Sequence, residues 1–122
     1  MAEFTRGIVA EEYFEQAVKL ADFDGNRFDL QFWLPAGFRV AMATIHGAQG
    51  CDGASIAIGD GTDIGRWGAL ANVDGHDIVE LTVDGDRIVR QRVRPTLTAQ
   101  DVTPSARYTG GFTVRVYGQM LS

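Results

Sequence analysis

The stretch Ala54-Ser55-Ile56-Ala57-Ile58-Gly59-Asp60-Gly61-Thr62-Asp63-Ile64-Gly65-Arg66-Trp67-Gly68 decides how this chain folds. Ile56 and Ile58 lie two residues apart and share one face of a short strand. Glycines and short carboxylates then break the apolar pattern, a composition that bends a chain. The first large side chain beyond the bend is Trp67, placed to plug the end of a two-sheet sandwich. The stretch therefore reads as strand, corner and plug, and the remaining sequence as a frame of strands around it.

Upstream, Arg27 to Leu34 alternates with period two: Phe28, Leu30, Phe32 and Leu34 on one face, Asp29, Gln31 and Trp33 on the other. Pro35-Ala36-Gly37 ends that ladder, because proline has no N–H to donate. A second strand is predicted over Phe38 to His46, with Phe38, Val40, Met42 and Thr44 on one face. Asp24-Gly25 is a tight-turn signal before them. The segment Glu11 to Phe23 fits a helical spacing through Tyr13, Phe14, Ala17, Val18 and Leu20, yet its neighbours favour a strand.

Downstream, Trp67 to Val73 reads as strand or loop. Ile78 to Val83 and Ile88 to Val93 flank Asp84-Gly85-Asp86 and read as a hairpin. Its second arm carries Arg90, Arg92 and Arg94 on one face, with Val89, Gln91 and Val93 on the other. A short strand at Thr96 to Thr98 sits within the connection Pro95 to Pro104. Phe112 to Leu121 closes the chain, with Phe112, Val114, Val116 and Met120 inward. The fold expected is all-β: an antiparallel β-sandwich of jelly-roll type with about eight strands. Residues 1–12 are expected to be a flexible N-terminal arm or edge strand, and 13–122 a single sandwich domain.

Composition narrows the function classes. The chain has 122 residues and a formal charge of −5, which opposes binding to a phosphate backbone, so no nucleic-acid partner is expected. No apolar run approaches the roughly 20 residues of a spanning helix, and no membrane partner is expected. The opening Met-Ala-Glu-Phe-Thr-Arg-Gly has neither the basic start nor the apolar run of a signal peptide. Ten of the eleven basic residues are arginine, the side chain suited to bidentate interface contacts; an arginine-biased genome gives the same count. Cys51, the single cysteine, excludes an internal disulfide and reads as a loop or partly buried thiol.

Asp60 and Asp63, interleaved with glycine, present hard oxygens of the kind that bind calcium. The turn occurs once, though, whereas calcium-binding nonapeptide repeats need stacked copies. Plain turn chemistry is favoured and no cofactor is expected. No Lys-Ser or Lys-Thr follows the glycines, which removes a phosphate loop. His46 and His76 lack a third ligand at zinc-like spacing, and Ser55, Ser105 and Ser122 have no nucleophile-elbow context. No catalytic residue is assigned and no enzyme is expected. Trp33, on the polar side of a good strand, marks an interface candidate, together with Arg90, Arg92, Arg94 and, in the arm, Phe4 and Arg6.

The corner Leu34-Pro35-Ala36-Gly37-Phe38-Arg39-Val40, a strand, a small-residue loop and then residues 55–68 together resemble small virion proteins of tailed bacteriophages and gene transfer agents. In those proteins a strand runs into a Gly-Asp-Gly-x-Asp turn followed by Arg and an aromatic. The resemblance spans roughly residues 34–72. It implies a structural β-sandwich bound in many copies to the exterior of a virion and made in the bacterial cytoplasm, most simply a capsid decoration protein. Its implied partners are the major capsid protein and copies of itself. The alternative is a carbohydrate-binding or adhesion module of a head spike or tail fibre, with Trp33 or Trp67 stacking on a host-surface glycan.

Overall fold

The computed structural model describes residues 12–51, 53–83, 85–100 and 110–121. Eight strands follow in order: β1 (Glu12–Lys19), β2 (Arg27–Asp29), β3 (Phe38–Gln49), β4 (Ser55–Gly59), β5 (Gly68–Asn72), β6 (Ile78–Leu81), β7 (Thr96–Gln100) and β8 (Gly111–Met120). They form two four-stranded sheets, ordered β1-β8-β3-β6 and β2-β7-β4-β5. Every pairing is antiparallel. First with eighth, second with seventh, third with sixth and fourth with fifth: the chain is one long hairpin whose pairs alternate between the sheets. That is the jelly roll the sequence predicts.

The apex of this long hairpin is the connection from β4 to β5, residues 60–67, at the centre of the stretch that opens the sequence reading. Gly59 admits the sharp return. A Cβ there would lie 2.5 Å from the carbonyl oxygen of Ile64 and closer still to that of Asp63. Trp67 is 2% exposed, and its backbone N–H donates to Ile58 at 2.9 Å, tying the far side of the corner back to β4. The core lies between the sheets, with Val40, Ala43, Ile45, Val114 and Val116 from one and Ile56, Ile58, Leu97 and Ala99 from the other.

Glu12–Lys19 is a strand, and the apolar cluster behind its helical spacing ends in a single 3-10 turn, Leu20–Asp22, with Leu20 fully buried. Trp67 to Val73 resolves into β5. Several expectations need correction.

The first concerns Ile78 to Val83 and Ile88 to Val93, which do not pair as a hairpin although Gly85 has the positive φ of the turn, +73°. β6 pairs with β3, while Ile88 bridges Arg39 and Val93 bridges Leu34. In a jelly roll the connector from β2 to β3 must run beside the connector from β6 to β7, because both strand pairs change sheet together. Hydrogen bonds Leu30 to Pro95 (2.9 Å), Leu34 to Val93 (2.7 Å), Gly37 to Val89 (2.8 Å) and Val40 to Arg87 (2.8 Å) join the two connectors into a corner ladder. Long-range topology overrides the local turn signal.

The second correction follows from that ladder. Arg27 to Leu34 is strand only over its first three residues, yet its alternation survives around the corner: Leu30 and Leu34 are buried, Gln31 and Trp33 exposed.

The third lies in β3, where Val40 faces Gly118 and Met42 faces Tyr117, so Ala41 is an extra residue. This bulge shifts the phase of the strand. Phe38 and Val40 are followed inward by Ala43 and Ile45, while Thr44 faces away from them and its hydroxyl lies 2.7 Å from Nε2 of His46. The Ala41 carbonyl accepts a hydrogen bond from Nη1 of Arg87 at 2.7 Å, which keeps the bulge satisfied. In β8, Phe112, Val114 and Val116 point inward as predicted, but Met120 is 44% exposed, although its partner across the ladder, Phe38, is fully buried.

Candidate functional site

The corner ladder has one face on the core, carrying Leu30, Leu34 and Val89, and one face in solvent. The solvent face gathers Trp33, Arg90, Arg92 and Arg94, residues that the sequence places on two separate strands. The guanidinium carbon of Arg92 lies 4.2 Å from the Trp33 ring centroid and that of Arg94 lies 5.3 Å from it. Such cation–π contacts hold flexible arginines over a rigid ring. Arg90 is drawn aside: its Nε donates to Oδ2 of Asp86 at 3.0 Å. Three of the four side chains thus form one surface cluster, and the fourth flanks it. Phe4 and Arg6 lie outside the described residues.

Beside the cluster a cleft of about 320 Å³ opens between the β4–β5 corner and the Arg90–Val93 edge. Trp67 and Arg66 stand at one side, Arg90 and Arg92 at the other, with Asp60 and Thr62 at the rim. Arg66 is the centre of its electrostatics. Its Nε is 3.8 Å from Oδ2 of Asp60, its Nη2 is 3.8 Å from Oδ2 of Asp86, and its guanidinium carbon is 4.5 Å from the Trp67 ring centroid. Among the described residues the side chain makes one hydrogen bond, from Nη2 to the Ile88 carbonyl at 3.3 Å. The sequence marked Arg66 only as the arginine of the turn-Arg-aromatic pattern, and its pairing with Asp60 and Asp86 comes from the fold.

Asp60 and Asp63 are both engaged within the turn. Oδ1 of Asp60 accepts from the backbone N–H groups of Thr62 and Asp63, at 2.9 and 2.8 Å, and Oδ1 of Asp63 accepts from Gly65 at 3.1 Å. Burial pulls the Asp60 carboxyl upward, but the two backbone donors and the Arg66 charge outweigh it and hold the group below the usual carboxylate range. Among the described residues, no group of three or more His, Cys, Asp or Glu side chains is placed to hold a metal ion.

Two further carboxylates are held low. Asp86 accepts from the Ile88 N–H and from Arg90, and Asp74 accepts from Gly53 at 2.9 Å and from Cys51 at 2.8 Å. A carboxyl whose folded pKa lies below its unfolded value stabilises the fold fully above the unfolded value. That contribution is lost as pH falls through the folded value. The thermal midpoint is therefore expected to be level above about pH 5 and to decline below about pH 4, with a shallower decline in Asp74→Asn. An equal midpoint at pH 7 and pH 2.5 contradicts this linkage.

Cys51 is fully buried, and burial followed by the nearby Asp74 charge pushes its thiol up to about 11. At pH 8 roughly one molecule in a thousand carries the thiolate, the reactive form. A thiol-specific disulfide reagent is expected to label the folded chain far more slowly than the chain in denaturant; equal rates contradict the placement. His46 sits on the outer face of its sheet, held below its usual value first by burial and then by Arg115, against Glu15. His76 is exposed in the turn after β5.

The fold and surface define a jelly-roll sandwich with an arginine-capped tryptophan on the corner where its sheets exchange strands. No protein-family model, curated protein or solved structure matches the chain.

Proposed function

We propose that this chain is a structural protein of a phage-like particle, bound in many copies to the capsid exterior through its corner ladder. The observation that carries the reading is the Trp33 ring, 40% exposed and covered by Arg92 and Arg94 on a hydrogen-bonded corner. Tryptophan and arginine dominate the energetic centres of protein interfaces. Here they are positioned before any partner arrives, so docking immobilises little that is still free. A symmetric shell then adds avidity, because many weak contacts act together. Its partners are the major capsid protein and neighbouring copies, and the role requires no catalytic group. The resemblance of residues 34–72 to phage virion proteins supports the same role.

The alternative, a glycan-binding module using Trp33 as a bare stacking platform, is less favoured at that residue because a guanidinium already lies over the ring. The test is cosedimentation of the purified chain with assembled empty capsids. Saturable retention is expected, and the double variant Trp33→Ala, Arg92→Gln is expected to weaken it at least about tenfold with the thermal midpoint nearly unchanged. A chain that stays in the supernatant, or a variant retained as well as the parent, contradicts the reading.

A further inference from the structure

We infer that the cleft between Arg66–Trp67 and Arg90–Arg92 is a binding site for a carboxylate-bearing sugar. The cleft is cationic in a chain that is acidic overall: Arg66, Arg90 and Arg92 line it against Asp60, with Asp86 paired to Arg66 and Arg90 beside the lining, an excess of one positive charge where the chain carries −5. A guanidinium has five N–H donors arranged as a fork that matches a carboxylate. Among the described residues Arg66 spends one of them, on a 3.3 Å bond, and its ion pairs with Asp60 and Asp86 are both 3.8 Å, beyond hydrogen-bond length.

Two N–H groups of residues that line the cleft, Nε of Arg66 and Nε1 of Trp67, are buried and without an acceptor among the described residues. A native protein satisfies nearly all such donors. A carboxylate in the cleft meets the Nη donors of Arg66, and a small shift of the Arg66 side chain on binding brings its Nε within reach.

The rest of the lining selects against a simple anion. Oδ2 of Asp60 accepts no hydrogen bond among the described residues, and the carboxyl is held below the usual carboxylate range, hence ionised at neutral pH. It repels a phosphate dianion yet accepts from a hydroxyl, as the Thr62 side chain also can. Val93, half-buried, adds apolar surface for the C–H face of a ring. One anionic group, several hydroxyls and an apolar face describe a uronic or sialic acid, and about 320 Å³ accommodates one or two such residues. The inference shares Arg92 with the capsid reading but uses the cleft and not the Trp33 ring, and its test variant, Arg90→Gln, leaves Arg92 and Trp33 in place.

The test is titration of the ¹⁵N-labelled full chain, following the Trp67 indole N–H and the Arg66 Nε–H, with the second indole signal assigned by Trp33→Phe. Three probes are used: a glucuronate-terminated disaccharide, its neutral glucose-terminated counterpart, and inorganic phosphate. The uronate is expected to shift both signals saturably with a dissociation constant at or below about 1 mM, and Arg90→Gln to weaken it about tenfold while leaving the rest of the spectrum in place. The neutral disaccharide and phosphate are expected to bind at least about tenfold more weakly. Equal binding of the neutral sugar overturns the role of the arginines. Equal binding of phosphate overturns the sugar class, and the absence of a saturable shift overturns the site.

Discussion

Replacing Gly59 with alanine is expected to lower the unfolding free energy by about 3 kcal/mol, at the upper end of what overpacking costs. The added methyl would enter the space held by the Asp63 and Ile64 carbonyls. Those oxygens belong to the backbone of the corner itself, and they cannot rotate away as a side chain would. The corner is fixed on both sides: Asp60 N–H donates to the Asp63 carbonyl at 3.2 Å, and Trp67 N–H to Ile58. Relieving the clash therefore means opening the apex of the eight-strand hairpin. Gly65, in the same turn, is the control. Its added Cβ would come no nearer than 3.5 Å to another atom, and its φ is not in the left-handed region, so Gly65→Ala is expected to stay within about 1 kcal/mol. Urea unfolding measures both; equal midpoints for the two variants contradict the geometry of the corner.

The other large effect is at Trp67. Truncation to alanine is expected to cost about 4 kcal/mol, since it removes the largest fully buried side chain and leaves a void between the corner and the sheets. Void collapse is limited on one side, because Gly68 already brings the backbone against Leu81, where a Cβ would meet Cδ1 at 2.9 Å. Trp67→Phe separates packing from hydrogen bonding. The indole N–H has no acceptor among the described residues, so its loss breaks no bond. The variant should recover more than half of the alanine loss, and recovery of none of it contradicts a packing role. Arg66 also loses its aromatic partner in the alanine variant, and a cation–π contact of this kind is worth up to about 1 kcal/mol.

The strands were legible because most of them have one buried and one wet face. The alternation of Phe28, Leu30, Phe32 and Leu34 is real and persists where the chain is a corner ladder and not a sheet, whereas that of Val89, Gln91 and Val93 fails at Gln91, which is exposed like Arg90 and Arg92. What the pattern lacks is the partner. Asp84-Gly85 is a sound turn signal in the sequence, and only the eight-strand topology decides that the chain beyond it lies against residues 34–40. The Ala41 bulge was hidden for a similar reason: one extra residue leaves no compositional mark, and its support, Arg87, comes from 46 positions away.

The surface was legible in pieces. An aromatic on a polar face marked Trp33, and a charged alternation marked Arg90, Arg92 and Arg94, but nothing in their spacing says that Arg92 covers Trp33. Residues 54–68 changed most in meaning. Read alone they are a corner with a plug, and they are both of these. They are also the midpoint of the folded hairpin, and through Asp60 and Arg66 they form one wall of the cleft.

The central claim, a jelly-roll protein attached to a particle by its corner ladder, meets its most direct test in electron-microscopic reconstruction of phage-like particles incubated with the purified chain. Added density the size of one sandwich is expected at symmetry-related positions on the capsid exterior, with the Trp33 corner turned toward the shell and the density lost with the Trp33→Ala, Arg92→Gln variant. Particles identical with and without the chain, or density in which that corner faces solvent, contradict it.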